Sequence, residues 1–384
     1  MATDIRPSPD LLERAAALLA GAKRPVILAG RAVADANAGA ELVALAETLA
    51  APVYTGNETK LIFPSSHPLY RGLAFQRSEA LRQLAASADV LLTVGSDLFK
   101  YDDATDAPVV SANTRVVQID LDVQALARFC ATDIALLASP RPALGELQAA
   151  VARLIRGKER DERLERLRGE YRQRKAFIET CLNHESTATP IRWGAAFREV
   201  AAAMPENAVV VDELASFYGQ LAKVIDFRSP GSYFTTVDSL GWGLPATLGV
   251  ALGSPGRPVV AMLGDGGALF CIQALWSATR YQIPAVMVIF NNSGFGSMRG
   301  LFTYYGQAVS APMDGADCAT YDIGALDWAR LAADFGIAAR RVADPSMIRS
   351  VVKEMIALRK PAVVELMVSP DGAGMNELVA EFFK

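Results

Sequence analysis

Two stretches, Val259-Val-Ala-Met-Leu-Gly264-Asp265-Gly266 and Val286-Met-Val-Ile-Phe-Asn291-Asn292, each run from β-branched apolar residues straight into polar turn residues. Runs this short and this uniformly apolar read as strands buried on both faces, the way strands of a parallel sheet are buried. Between them, residues 268–281 carry a helical pattern of about four turns, and Pro284 marks the approach to the next strand. Strand, tight turn, helix and strand form a right-handed crossover. That crossover brings Asp265 and Asn292 to the carboxyl edge of a parallel sheet, where open α/β sheets bind ligands.

The chemistry of those two ends is specific. An Asp carboxylate and an Asn carbonyl are hard oxygen ligands, and with water and phosphate oxygens they suit octahedral Mg²⁺ better than a softer metal. Gly264, Gly266 and Gly267 let the backbone approach a ligand closely and open a helix whose free N–H groups favour a phosphate. The unit reads as a Mg²⁺–diphosphate site. For Gly-Asp-Gly in isolation, a plain turn is the commoner reading.

The pattern of GDG, roughly two dozen residues, then NN resembles the thiamin diphosphate (ThDP) binding motif of decarboxylases, acetohydroxyacid synthases and acyl lyases. In that family the Asp and the second Asn bind the metal through side chains, and the residue two beyond offers its backbone carbonyl. The resemblance therefore implies Asp265, Asn292 and Gly294 as metal ligands. The neighbouring Ile272-Gln-Ala-Leu-Trp276, Tyr281-Gln-Ile-Pro284 and Phe295-Gly296 are most similar to benzoylformate decarboxylase and its relatives.

Further roles are carried by the same resemblance. In Ser239-Leu240-Gly241-Trp242-Gly243, Leu240 matches the apolar wedge that bends the cofactor, and Asp238 matches the carbonyl that accepts from the aminopyrimidine. Ser216 and the N–H groups around it could hold the diphosphate, as helix starts do. Glu213 is a further cofactor candidate, although a carboxylate repels phosphate; the other reading is a solvated Glu in a first helical turn. Ser297, Leu301 and Phe234 match positions lining the donor pocket, against a capping serine and two core residues. Where benzoylformate decarboxylases carry a catalytic His, this chain has Phe99-Lys100-Tyr101-Asp102, so Asp102 is the proton-relay candidate if burial raises its pKa. That departure leaves room for a carboligase or an acyl lyase.

Composition narrows the partners. Half of the 384 residues are hydrophobic, and a net charge of −4 with no basic cluster excludes nucleic acid and anionic membrane as expected partners. No apolar run is long enough to span a bilayer, and the N-terminal residues lack a signal pattern. The four cysteines show no metal or redox spacing, as in a reduced, cytoplasmic protein. His67 and His184, the two histidines, are read as a structural turn residue and a solvated linker residue.

Along the chain, strands alternate with helices twice, which predicts an α/β protein with two doubly wound parallel-sheet domains. Residues 1–150 read as a Rossmann-like middle domain with strands at 25–30, 52–55, 89–95 and 115–120 and a helix at 79–86. No Gly-x-Gly-x-x-Gly follows its first strand, so a nucleotide site there has little support. Residues 151–190 read as a solvated charged helix and linker, and 191–384 as the diphosphate-binding domain. In the family a separate pyrimidine-binding domain carries the Glu that acts on the cofactor's pyrimidine, and these residues hold no third α/β unit. The resemblance thus implies the larger subunit of a hetero-oligomer, α2β2 or larger, with the Glu on a partner chain and a small 2-oxo acid or 2-hydroxyacyl compound as substrate. An acetolactate-synthase-like carboligase and a catalytically silent cofactor-binding subunit are the alternatives.

Overall fold

The computed structural model describes residues 4–370 except 57–59, 74–85, 97–109, 129, 156, 185–186, 218–219, 237–238 and 299–320. The chain divides into two compact units, residues 1–175 with 226–230, and residues 176–225 with 231–384. Each is built on a parallel sheet of six strands.

In the first unit the strands are β1 (Pro25–Ala29), β2 (Val53–Thr55), β3 (Tyr70–Leu73), β4 (Val90–Val94), β5 (Arg115–Asp120) and β6 (Ile134–Leu137). Their order is β3-β2-β1-β4-β5-β6, so the sheet winds outward both ways from the β1–β4 pair. Every residue of β1 and β4 is buried, as their continuous apolar runs require. The crevice between these two strands is filled by the chain itself. Gly30 N donates to Val94 O at 2.8 Å, Ala32 N donates to Gly95 O, and a Cβ on Gly30 would stand 2.1 Å from Gly95 O. The edge strands β3 and β6 were not expected; Arg71 and Gly72 interrupt the first, the second is a run of only four apolar residues, and both are partly exposed. The helix expected at 79–86 lies outside the described residues apart from its last position.

The charged stretch departs from expectation. It forms one helix, Lys158–His184, which takes in Asn183 and His184, the first two residues of the linker read at 183–190. Nor are its arginines simply solvated. Arg163 donates to the carbonyl oxygens of Ala22, Lys23, Leu49 and Ala50, and Arg160 donates to those of Glu47 and Thr48. Four of these six carbonyls belong to the last turn of the helix Gly39–Leu49 and its left-handed end at Ala50. Helix ends leave such carbonyls without intrahelical partners. Arg174 donates to Tyr70 O, and burial together with neighbouring Arg71 lowers its pKa to about 10.

The second unit holds β7 (Val209–Glu213), β8 (Tyr233–Thr235), β9 (Val259–Gly264), β10 (Val286–Asn291), β11 (Ala338–Val342) and β12 (Ala362–Met367), in the order β11-β12-β10-β9-β7-β8. Residues Val211, Leu263, Met287, Ile289, Trp328 and Val363 build its core against one face of the sheet. Each such apolar side chain contributes roughly 1.5–3 kcal/mol when fully buried. The crossover from β9 to β10 is helical, but not one four-turn helix. A helix Asp265–Leu269 and a second, Ala274–Arg280, are joined by residues 270–273, of which Phe270, Cys271 and Ile272 donate their N–H groups three residues back. The break falls where Phe270 and Cys271 pack against Gly241. A continuous helix would have to share that space with the 239–243 loop.

Candidate metal and diphosphate site

β9 and β10 are neighbours in register, Phe290 opposite Gly264, so the residues that follow each strand emerge at one sheet edge. Asp265 opens its short helix there with Gly264 as N-cap. Its side chain is buried; Oδ1 accepts from Gly266 N at 2.8 Å, and Oδ2 has no hydrogen-bond partner. Burial pushes the Asp265 carboxyl up to about 6, against the opposing pull of the Gly266, Ser293 and Gly294 N–H groups. An orphaned carboxylate oxygen facing a cavity calls for a ligand.

Across from it, one terminal atom of the Asn292 amide lies 2.9 Å from the Gly294 carbonyl oxygen and 3.0 Å from Asp265 Oδ1. With nothing else present that atom is best the nitrogen, donating to both acceptors. With a small cation among the three groups it is best the oxygen. In an octahedron with metal–oxygen distances of about 2.0–2.1 Å, neighbouring ligands stand about 2.9 Å apart, the separation found here. The three groups fit Mg²⁺. Among the described residues no cluster of three His, Cys, Asp or Glu exists, since two of these three donors are an amide and a main-chain carbonyl.

Glycines keep the cradle open. A Cβ on Gly266 would stand 2.6 Å from the Phe295 ring, and one on Gly294 would stand 2.6 Å from Tyr321 O, where Phe295 N donates at 2.8 Å. Around them is a partly open cavity. Its lining includes Ser216 on the 3₁₀ turn Ala215–Phe217, Ser297, Leu240, and Gly264, Gly266 and Gly267.

Leu240 stands over this cavity with 46% of its surface exposed, on a loop whose next residue, Gly241, has φ +91°. That loop is held from below by Glu213, the last residue of β7. The Glu213 carboxylate accepts from the N–H of Gly241 and of Gly243. Burial raises its pKa, and the two N–H groups oppose that. The sequence offered two roles for Glu213, a cofactor ligand or a solvated first-turn residue, and the second is wrong: the residue is buried at the end of a strand. The residue borders the cavity, but its charge is spent on the loop. Of the two readings of Phe234, packing against the core is the one seen: it lies on edge strand β8 against the core cluster. Asp102, Asp238 and Leu301 lie outside the described residues.

Sequence reasoning missed Trp193. Its ring borders the cavity, stacks on Phe290 at 5.3 Å, and is fixed by Nε1 donating to Ser369 O at 2.9 Å. A single Trp at a helix start carries no local sign of such a role.

Two comparisons of sequence and one of structure bear on this site. Residues 215–366 match the C-terminal TPP binding domain of thiamine pyrophosphate enzymes, and residues 12–147 match their central domain. The chain is similar to benzoylformate decarboxylase of Pseudomonas aeruginosa, 28% identical over 94% of this chain and 64% of that one. It is likewise 28% identical to a probable acetolactate synthase large subunit of Methanocaldococcus jannaschii, over 94% and 60% of the two chains. Among solved structures, a thiamine diphosphate-dependent 4-hydroxybenzoylformate decarboxylase of Rhodococcus jostii superposes with a TM-score of 0.79 at 25% identity, covering 97% of this chain and 66% of that one. The chain thus spans less than two thirds of the curated relatives' own length.

Proposed function

This chain belongs to the thiamine pyrophosphate enzyme family, and we propose that it is the ThDP- and Mg²⁺-binding subunit of a lyase or carboligase. The substrate class is a 2-oxo acid or 2-hydroxyacyl compound, which the names of the two curated relatives support. The observation that carries the reading is the meeting of Asp265, Asn292 and Gly294 beside an unpartnered carboxylate oxygen.

When bound, ThDP supplies a carbon nucleophile and an electron sink for making or breaking a bond beside a carbonyl. The chain's own residues have separate tasks. Asp265, Asn292 and the Gly294 carbonyl hold the cation, and the glycines with Ser216 and Ser297 leave room for a diphosphate. Leu240 supplies an apolar support above the Gly267 turn, with Glu213 fixing its height. Trp193 walls the inner end and excludes water.

None of the described residues places a free carboxyl where a pyrimidine ring would lie above Leu240: Glu213 is engaged by the loop and Asp265 faces the cation position. Leu240 beside the cavity and Phe270 against the Gly241 turn are 46% and 59% exposed, an apolar surface left facing water. A second polypeptide that covers this surface and brings the acid–base Glu accounts for both features. It would bury apolar side chains that otherwise face water. An acetolactate-synthase-like carboligase is a variant of the same reading, differing in the acceptor.

The test is reconstitution. The full chain with ThDP and Mg²⁺ is assayed on benzoylformate, pyruvate and a panel of 2-oxo acids, alone and with a co-expressed pyrimidine-domain protein. Turnover only in the mixture is expected. Turnover by the chain alone would overturn the split arrangement, and cofactor binding without turnover in any mixture would indicate a silent subunit.

A further inference from the structure

Asn291 and Asn292 are neighbours at the end of β10, yet only Asn292 faces the cavity. The Asn291 side chain turns into the sheet, where Nδ2 donates to Glu365 Oε1 at 2.7 Å and to Leu326 O at 3.0 Å. Its Oδ1 accepts from Ser293 N at 3.1 Å. Glu365 lies in the middle of β12 with no exposed surface. Arg341, opposite it on β11, donates Nε to Oε2 at 2.9 Å and Nη2 to Oε1 at 3.1 Å, and Ala329 N donates to Oε2 at 3.0 Å.

A fully buried carboxylate costs several kcal/mol unless it is well paired, and apolar replacements often do as well for stability alone. Its use here is directional. A carboxylate accepts and cannot donate, so with the Leu326 carbonyl it takes the Asn291 amide nitrogen and rejects the amide oxygen. That choice leaves Oδ1 facing Ser293 N. Ser293 is held in the left-handed region at φ +57°, an uncommon place for a residue other than glycine. This turn swings the Gly294 carbonyl back to 2.9 Å from the Asn292 amide.

We propose that Glu365, locked by Arg341, is a positioning residue for the metal centre. It sets the orientation of the Asn291 amide and so the turn that aims the Gly294 carbonyl and Asn292 at the cation. The inference rests on the metal reading given above. Neither residue is among those lining the cavity.

The experiment is a Mn²⁺ titration of the full chain with ThDP present, read by electron paramagnetic resonance or calorimetry, alongside thermal melting without metal. Glu365→Gln can present either end of its amide to Asn291, and it should weaken Mn²⁺ by about 10–100-fold, the range for groups that orient metal ligands. Excess Mn²⁺ should restore ThDP binding to the wild-type ceiling. Should Glu365→Gln fail to fold, Arg341→Gln, altered at a partly exposed side chain, carries the same prediction with a smaller weakening. A folded Glu365→Gln or Arg341→Gln that binds Mn²⁺ as tightly as wild type, whatever its melting temperature, overturns the proposal. Wild-type chain that takes up no Mn²⁺ beside ThDP would instead overturn the metal reading.

Discussion

Glu213 and Gly241 are 28 positions apart in sequence, and the carboxylate of the first accepts the backbone N–H of the second at 2.5 Å. With the matching bond from Gly243, this fastens the loop bearing Leu240 to the end of a central strand. Replacing Glu213 with Gln turns one acceptor into a donor facing a backbone donor. Leaving a buried N–H unsatisfied costs about 1–3 kcal/mol. Glu213→Gln should lower stability by that amount and weaken ThDP binding roughly tenfold, measured by denaturant unfolding and fluorescence titration.

Asp265 is held in a desolvated position that suits a cation and penalises an empty carboxylate. Asp265→Ala should therefore leave the melting temperature without metal unchanged or higher. Wild type with saturating Mg²⁺ and ThDP should gain stability through ligand linkage, and the variant should gain none. Chelation of Mg²⁺ should erase the wild-type gain. Melting curves with and without the ligands check all three outcomes.

Buried Asp212 has its carboxyl pushed up to about 7, chiefly by desolvation and partly countered by Tyr233 Oη, which donates to Oδ2 at 2.8 Å. The unfolded carboxyl titrates near its ordinary value of about 3.9. Between those two values the folded state binds the extra proton, so stability falls as pH rises through this window. Urea unfolding at several pH values between about 4 and 7 should show that slope, and Asp212→Asn should flatten it. Tyr233→Phe removes a donor that favours the charged form and should extend the slope to higher pH.

Arg163 supplies donors to four carbonyls, two at the end of the helix Gly39–Leu49 and two in the turn at Ala22 and Lys23. Arg163→Met keeps much of the aliphatic stem and loses the fork. A loss of roughly 2–3 kcal/mol is expected, since hydrogen bonds from a charged donor contribute about 1.5–3 kcal/mol. Amide exchange should quicken first in the last turn of the helix Gly39–Leu49, while the second unit keeps its protection.

The parts of the fold legible from sequence are those where one residue type serves one purpose. β1, β4, β9 and β10 are buried on both faces, so their apolar runs announce them. β3 and β6 are half-exposed edge strands, with Arg71 and Gly72 interrupting the first, and no periodicity marks them. The arginines of the long helix look like solvent-facing charge because their partners are main-chain carbonyls, which no side-chain pattern encodes. The same blindness hides Glu213 and Glu365, whose roles depend on N–H groups and an amide brought near by the sheet. Asp265 and Asn292 stood out because the crossover brings both to one sheet edge, whereas Gly294 came only with the family resemblance. Phe234 stayed open between two readings because an edge-strand aromatic can pack inward as readily as it can face a cavity.

Of the three groups gathered at the sheet edge, Asp265 alone bears a formal charge; an amide and a peptide carbonyl contribute only dipoles. A doubly charged ion seated there would keep about half its charge uncompensated. The missing negative charge has to arrive with the diphosphate. Metal and cofactor should accordingly load as a pair, each raising the other's affinity, and either one offered alone should be held weakly.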